Sequence, residues 1–251
     1  MASALQRLRL VIAYDGAPFR GWQSQATGDA VQDHLETGLA RILKEPVRIH
    51  GAGRTDAGVH ALGQVAHVDV PRTGLPPAQW SRALNDHLPP GIRVIRSSRA
   101  APRFHARVDA IGKIYTYRVW NASYLHPLEI GRAWLVPGKI DLALLQTAAR
   151  ELVGEHDFAN FAANRRGEPE ENTYRYIESI SLSAKGPLLT LRFLGNGFFY
   201  HMVRLLTGSI IRVARGREEI KWLQDLRERK TPEKSRYCAP AEGLYLTKVL
   251  Y

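Results

Sequence analysis

Residues 7–14 read Arg7-Leu8-Arg9-Leu10-Val11-Ile12-Ala13-Tyr14, with Leu8, Leu10, Ile12 and Tyr14 at every second position. That two-residue period places four large apolar side chains on one face of an extended strand, the mark of a sheet with one buried face. A loop with Asp15-Gly16 and Gly21 follows, and from Ala30 to Leu43 the residues Val31, Leu35, Leu39 and Ile42 recur at helical spacing. Asp29 stands where it can cap that helix, and Pro46 lies just past its end. Val47 to His50 reads as a short strand, Gly51 to Gly63 as a glycine-rich loop, and Gln64 to Val70 as a strand stopped by Pro71. A second helix, about Pro77 to Leu88, carries Trp80, Leu84 and Leu88 ahead of Pro89-Pro90-Gly91, and Ile92 to Ser97 returns as a strand. The order is strand, helix, two strands, helix, strand.

Beyond Pro102 the pattern recurs in loose outline. Lys113 to Asn121 and Ala133 to Val136 read as strands, and a helix from about Leu142 to Val153 has Asp141 as its cap and Gly154 as its stop. Strands Tyr174 to Ser183 and Leu188 to Leu194 are joined by the turn Lys185-Gly186-Pro187. Helices from about Tyr200 to Ala214 and Glu218 to Arg229 follow, and Leu244 to Leu250 is a last strand. Strands outnumber helices and neighbours are often hairpin-connected, so the expected class is α+β. The expectation is two related subdomains of largely antiparallel sheet with helices on one face, residues 1–102 and 103–251.

The chain has 251 residues, 45% of them hydrophobic, with 35 Lys+Arg against 24 Asp+Glu and a formal charge of +11. That excludes a disordered tail and a small stapled scaffold, and the length suits two cores. A lone cysteine, Cys238, closes no internal disulfide, and no Cys/His spacing offers a zinc site, so no metal and a reducing cytoplasmic home are expected. No apolar run approaches bilayer length and the first residues lack a signal-peptide pattern, so a soluble, unprocessed protein without a membrane partner is expected. The cationic surplus attracts polyanions, and nucleic acid leads that class because the basic residues are mostly Arg, which grips phosphate and stacks on bases.

The most unusual segment is Gly51-Ala52-Gly53-Arg54-Thr55-Asp56-Ala57-Gly58-Val59-His60. Its glycines let backbone approach a ligand, but their spacing matches neither the P-loop nor the dinucleotide fingerprint. What remains is a carboxylate on a tight turn beside a guanidinium. Such an Asp56 serves as a nucleophile, a general base or a structural ion-pair partner. It has no close acidic neighbour, so a two-carboxylate glycosidase is disfavoured.

Residues Gly51 to Ala61 resemble the signature loop of the tRNA pseudouridine synthase A family. The resemblance extends to Tyr14-Asp15-Gly16, Phe19-Arg20-Gly21-Trp22-Gln23-Ser24-Gln25, Val31-Gln32 with Leu35-Glu36, and Phe104-His105-Ala106-Arg107. It continues through Lys113 with Tyr115 and Tyr117, Gly154-Glu155-His156-Asp157-Phe158, His201-Met202-Val203-Arg204 and Glu242-Gly243-Leu244. The motifs stand in the family's order from about residue 8 to the C-terminus. Departures at Ala30, Leu62, Ser209 and Val213-Ala214-Arg215-Gly216 remove no ionisable group from the implied site.

This resemblance implies an isomerase without cofactor that detaches uracil from its ribose, turns it and reattaches it through C5. It implies a catalytic cleft between the subdomains, with Asp56 as the catalytic aspartate, through attack on C1′ or a glycal route. Arg204 is implied as its cationic partner and Tyr115 as the tyrosine stacked on the target base. Arg54 is implied to fill the space left by that base, and Leu244 to line the substrate site. An Arg in so apolar a helix as 202–211 is costly unless paired, which agrees with the role implied for Arg204. For RNA contact the candidates are Arg54, Arg20, Arg72, Phe104, His105, Arg107, Arg165 and Arg166. The family further implies a homodimer acting on tRNA positions 38 to 40 in the anticodon stem-loop. A tRNA-binding module of the same fold without chemistry is the competing expectation, which a retained Asp56 and Arg204 disfavour.

Overall fold

The computed structural model describes residues 5–72, 74–163 and 172–251. In chain order the elements are β1 (Leu5–Tyr14), α1 (Val31–Leu43), β2 (His50–Gly51), β3 (His60–Pro71), α2 (Trp80–Asn85), β4 (Ile92–Arg99), β5 (Gly112–Trp120) and β6 (Trp134–Leu135). There follow α3 (Leu142–Arg150), β7 (Gly154–Asp157), β8 (Tyr174–Lys185), β9 (Leu188–Gly195), α4 (Met202–Ala214), α5 (Ile220–Arg227) and β10 (Leu244–Leu250). The class is α+β with mostly antiparallel strand pairs. Among the described residues no helix is long and apolar enough to cross a membrane.

The chain folds as two compact units, Met1–Ile111 with Tyr245–Tyr251, and Gly112–Leu244. The boundary therefore differs from the 102/103 expected on the strength of Pro102. Residues past Pro102 stay with the first unit because their backbone is bonded to it. Arg7 Nη1 donates to Phe104 O at 2.8 Å, Ala106 N to His67 Nδ1 at 3.1 Å, and Ile111 N to Leu250 O at 3.0 Å. The last strand also returns to that unit, running parallel to β3 with Tyr245 opposite His60 and Leu246 opposite Ala61.

In the first unit β1 pairs antiparallel with β3, from Leu5 opposite Pro71 to Tyr14 opposite Ala61, and with β4 on its other edge. β2 and β10 share the remaining edge of β3, β2 at His67 and Ala66 and β10 at His60 and Ala61. Leu8, Leu10 and Ile12 are fully buried and Tyr14 nearly so, as the alternation required. They form a core with Val31, Leu35 and Leu39 of α1 and Trp80 and Leu84 of α2, each such side chain contributing about 2 kcal/mol. α1 is not capped by Asp29. Its N-cap is Ala30, and the Asp33 carboxylate turns back to accept the Ala30 amide at 3.0 Å.

The second unit has the antiparallel order β5-β9-β8-β7, with β6 parallel to β5 at Val119 and Trp134. A two-residue turn joins β8 to β9, and Gly186 there takes φ +58°, which its missing Cβ makes free. Tyr117, Val119, Leu191, Phe193 and Ile177 of the sheet are fully buried, as are Leu145, Leu206, Ile210, Leu223 and Leu226 of the helices.

Candidate active site

The loop between β2 and β3 is built onto the end of β1 and the start of β3. Ala52 N donates to Val65 O at 2.7 Å, and the fully buried Gln64 donates from Nε2 to Gly53 O at 2.8 Å. The Tyr14 and Thr55 hydroxyls are hydrogen-bonded at 2.7 Å inside the core. Burial raises the Tyr14 pKa far above the ordinary phenol value, and its hydrogen bonds to Thr55 and Gln64 partly oppose that. Thr55 O accepts Trp22 N at 3.0 Å, and Val59 N donates to Asp56 O at 3.1 Å to close the turn that carries Asp56. Asp56 itself is half-buried.

The segment after β1 lies against this loop so closely that side chains are excluded. A Cβ on Gly16 would stand 2.1 Å from Val59 O, and one on Gly21, at φ +81°, would stand 2.5 Å from Thr55 O. The Gly16 amide donates to Nδ1 of the buried His60 at 3.0 Å. Arg54 points outward, its Nε donating to Gln23 Oε1 at 3.0 Å. The structure thus brings Asp56, Arg54 and the Arg20 segment together in the first unit. Arg20 is exposed, with Nε 3.9 Å from Asp29 Oδ2.

Arg204 and Tyr115 belong to the second unit. Arg204 is half-buried in the first turn of α4, its Nε donating to Ala239 O at 2.7 Å while its own carbonyl accepts Ala239 N at 3.1 Å. Tyr115 lies on β5 opposite Phe193, 8% exposed, with its ring edge-on to Phe198 at 5.2 Å. Leu244, 5% exposed, is the last residue of that unit.

Of the RNA-contact candidates, Arg72 and Arg107 are exposed. Phe104 packs on Tyr251 at 5.1 Å, and His105 Nδ1 accepts the amides of Arg107 and Val108, both at 3.2 Å, so these two residues also shape their own loop. Arg165 and Arg166 lie outside the described residues. Among the described residues no group of three His, Cys, Asp or Glu side chains is arranged to hold a metal. Sequence reasoning gave Tyr14, Thr55 and Gln64 no role in the site. The signal available for Gln64 was a lone amide among apolar neighbours in Ala61-Leu62-Gly63-Gln64-Val65-Ala66. Also unforeseen was Arg9, whose guanidinium lies over the Tyr251 ring, 4.3 Å from its centroid, and over the Phe104 ring, 5.5 Å from its centroid.

Comparison with known proteins bears on what this arrangement does. The profile described as tRNA pseudouridine synthase matches residues 10–109 and 148–251. The tRNA pseudouridine synthase A of Akkermansia muciniphila is 43% identical over 98% of this chain and 96% of its own length. Those of Methylacidiphilum infernorum and Solidesulfovibrio magneticus are 40% and 43% identical, over 100% and 98% of this chain and 98% and 92% of their own. A match of that extent, reaching into both units, means that the chain belongs to the tRNA pseudouridine synthase family and is an isomerase.

Proposed function

We propose that this isomerase converts uridine to pseudouridine at positions 38 to 40 of the tRNA anticodon stem-loop, with Asp56 as the catalytic carboxylate. The C1′–N1 bond breaks, a C1′–C5 bond forms, the C5 hydrogen leaves as a proton and N1 takes one up. Substrate and product are isomers, so the stoichiometry calls for no co-substrate. A uridine stacked in a stem is out of reach, so the base is flipped out, and the phosphates on either side hold the strand.

In this reading Arg204 keeps Asp56 ionised and aimed, Tyr115 stacks on the extruded uracil, Arg54 fills the space it vacates and Leu244 lines the substrate site. Exclusion of water protects the detached base and the open sugar. Arg20, Arg72, Phe104, His105 and Arg107 track the RNA backbone, as do Arg165 and Arg166. The enzyme works as a homodimer in the cytoplasm. The observation that carries the reading is the placement of Asp56, a carboxylate on a turn whose backbone is held rigidly from both sides in a chain of this family.

The test uses tRNA tritiated at uracil C5, from which tritium passes to water as the new carbon–carbon bond forms. Asp56→Asn is expected to abolish release while tRNA affinity stays within about tenfold, since the change removes a reacting group rather than a binding one. Near-normal turnover by Asp56→Asn would falsify the assignment. Mapping pseudouridine in tRNA from cells lacking the protein checks positions 38 to 40.

A further inference from the structure

We infer that Tyr14, Thr55 and Gln64 are positioning residues that set where the Asp56 carboxylate stands, an inference that rests on the reading of Asp56 above. Gly51, Gly53 and Gly58 make the loop intrinsically loose, since glycine has the most backbone freedom to lose. Something must supply the rigidity a reacting group needs. Gln64 does so from a fully buried site where an idle amide is costly, and neither end is idle: Nε2 donates to Gly53 O at 2.8 Å and Oε1 accepts Val65 N at 3.1 Å. From β1, the Tyr14 hydroxyl is joined to Thr55 Oγ1 at 2.7 Å.

Thr55 is therefore held at two points, its hydroxyl by Tyr14 and its carbonyl by Trp22 N at 3.0 Å. The next residue is Asp56, whose own carbonyl is held by Val59 N at 3.1 Å. The backbone that carries the Asp56 side chain is thus fixed both before and after it. Three buried side chains from β1, the loop and β3 form a network of bonds that converges on the loop backbone carrying Asp56. A displacement of about 1 Å at a reacting group costs on the order of a hundredfold in rate, so loosening this network is felt in catalysis before it is felt in binding.

The experiment measures kcat, KM, tRNA Kd and melting temperature for Tyr14→Phe, Thr55→Val, their double variant and Ser97→Ala. Ser97 is a buried hydroxyl of β4 that accepts Ser81 N at 2.9 Å, far along the fold from the loop, and serves as the control for lost stability alone. Tyr14→Phe and Thr55→Val should each lower kcat by about 10- to 100-fold, with KM and Kd within about threefold of the parent. The double variant should fall no further than the worse single one, because both break the same bond. Ser97→Ala should lower the melting temperature and keep kcat. Where Thr55→Val is too unstable to assay, Thr55→Ser and Thr55→Ala separate the hydroxyl from the methyl group, and Thr55→Ser should restore kcat while Thr55→Ala does not. If kcat holds in Tyr14→Phe and Thr55→Val while they melt early like Ser97→Ala, or if Thr55→Ala turns over as well as Thr55→Ser, the network is merely structural. An inactive Asp56→Asn beside a fully active Tyr14→Phe overturns this inference alone, whereas an active Asp56→Asn overturns the reading beneath it.

Discussion

His67 of β3 shows how a single side chain ties stability to pH in the first unit. It is 3% exposed, its Nδ1 accepts the Ala106 amide at 3.1 Å, and its ring stacks on His50 at 5.0 Å and lies 4.6 Å from His105. Burial, with the positive charge of Arg7, His105 and His50 adding to it and Asp69 opposing, lowers its pKa to about 4. The geometry agrees, since a proton on Nδ1 would face the Ala106 N–H. Above the unfolded value of about 6.5 neither state holds the proton and the site is pH-independent. As pH falls from there towards 4 the unfolded chain is protonated first, and the fold loses up to about 3 kcal/mol. Urea midpoints should therefore fall between pH 7 and pH 4.5, and His67→Gln should flatten that decline. An equal decline in both proteins would place the sensitivity elsewhere. None of this was legible in the sequence, because the partner of His67 is 39 residues away. The Asp56 turn was legible through its glycines and motif, but the bonds that hold it join residues 41 and 11 positions apart.

At the level of elements, periodicity located the long strands and helices well and the short pieces poorly. The helix expected over 77–88 is a 3-10 turn, Pro77–Gln79, followed by the six-residue α2, whose last residue, Asn85, turns its side chain to grip β4. Its side chain accepts Val94 N at 2.8 Å and donates to Val94 O at 3.0 Å. Gly154 does not close α3. That helix ends at Arg150, and Gly154, at φ +111°, opens β7, whose four residues are too few to show a period. α4 matches the expected apolar helix, and packing there overrides propensity. Alanine is favoured over glycine inside a helix by about 1 kcal/mol, which would make Gly208→Ala stabilising. A Cβ at Gly208, however, would stand 1.7 Å from Tyr237 O, a backbone atom. The segment bearing it is fastened to α4 by the Arg204–Ala239 bonds and by the Ser209–Ser235 hydroxyl pair at 2.8 Å, so it yields only by breaking them. Overpacking of this kind costs about 1–3 kcal/mol or more, so the clash outweighs the gain and Gly208→Ala should melt several degrees lower. A melting temperature at or above the parent's would show that the contact is not tight.

For the whole molecule, the formal charge of +11 was read from the sequence as a sign of a polyanionic partner, but charge alone does not say which cations are available. Several are spent internally. Arg7 pairs with Asp69 at 2.5 Å, Arg118 binds Glu129 through both carboxylate oxygens at 2.8 and 2.7 Å, and Arg227 holds Glu151 at 2.9 Å. These pairings are tertiary, so no local pattern announces them, just as none showed that residues 245–251 belong with the first unit. Arg72 and Arg107 remain exposed on that unit and are the cations to test on the proposed function. Each phosphate contact releases condensed counterions, so log affinity for tRNA should fall linearly with log salt, with a slope of about 0.7–0.9 per contact. Arg107→Gln or Arg72→Gln should weaken binding at low salt and reduce the slope magnitude by about 1, measured by anisotropy with labelled tRNA across a potassium chloride series. Arg118→Gln should leave that slope alone and lower thermal stability, because it strips the partner from Glu129 rather than from a phosphate. A slope unchanged in Arg107→Gln would remove Arg107 from the RNA path, and one flattened in Arg118→Gln would mean that the Glu129 pair opens to bind RNA.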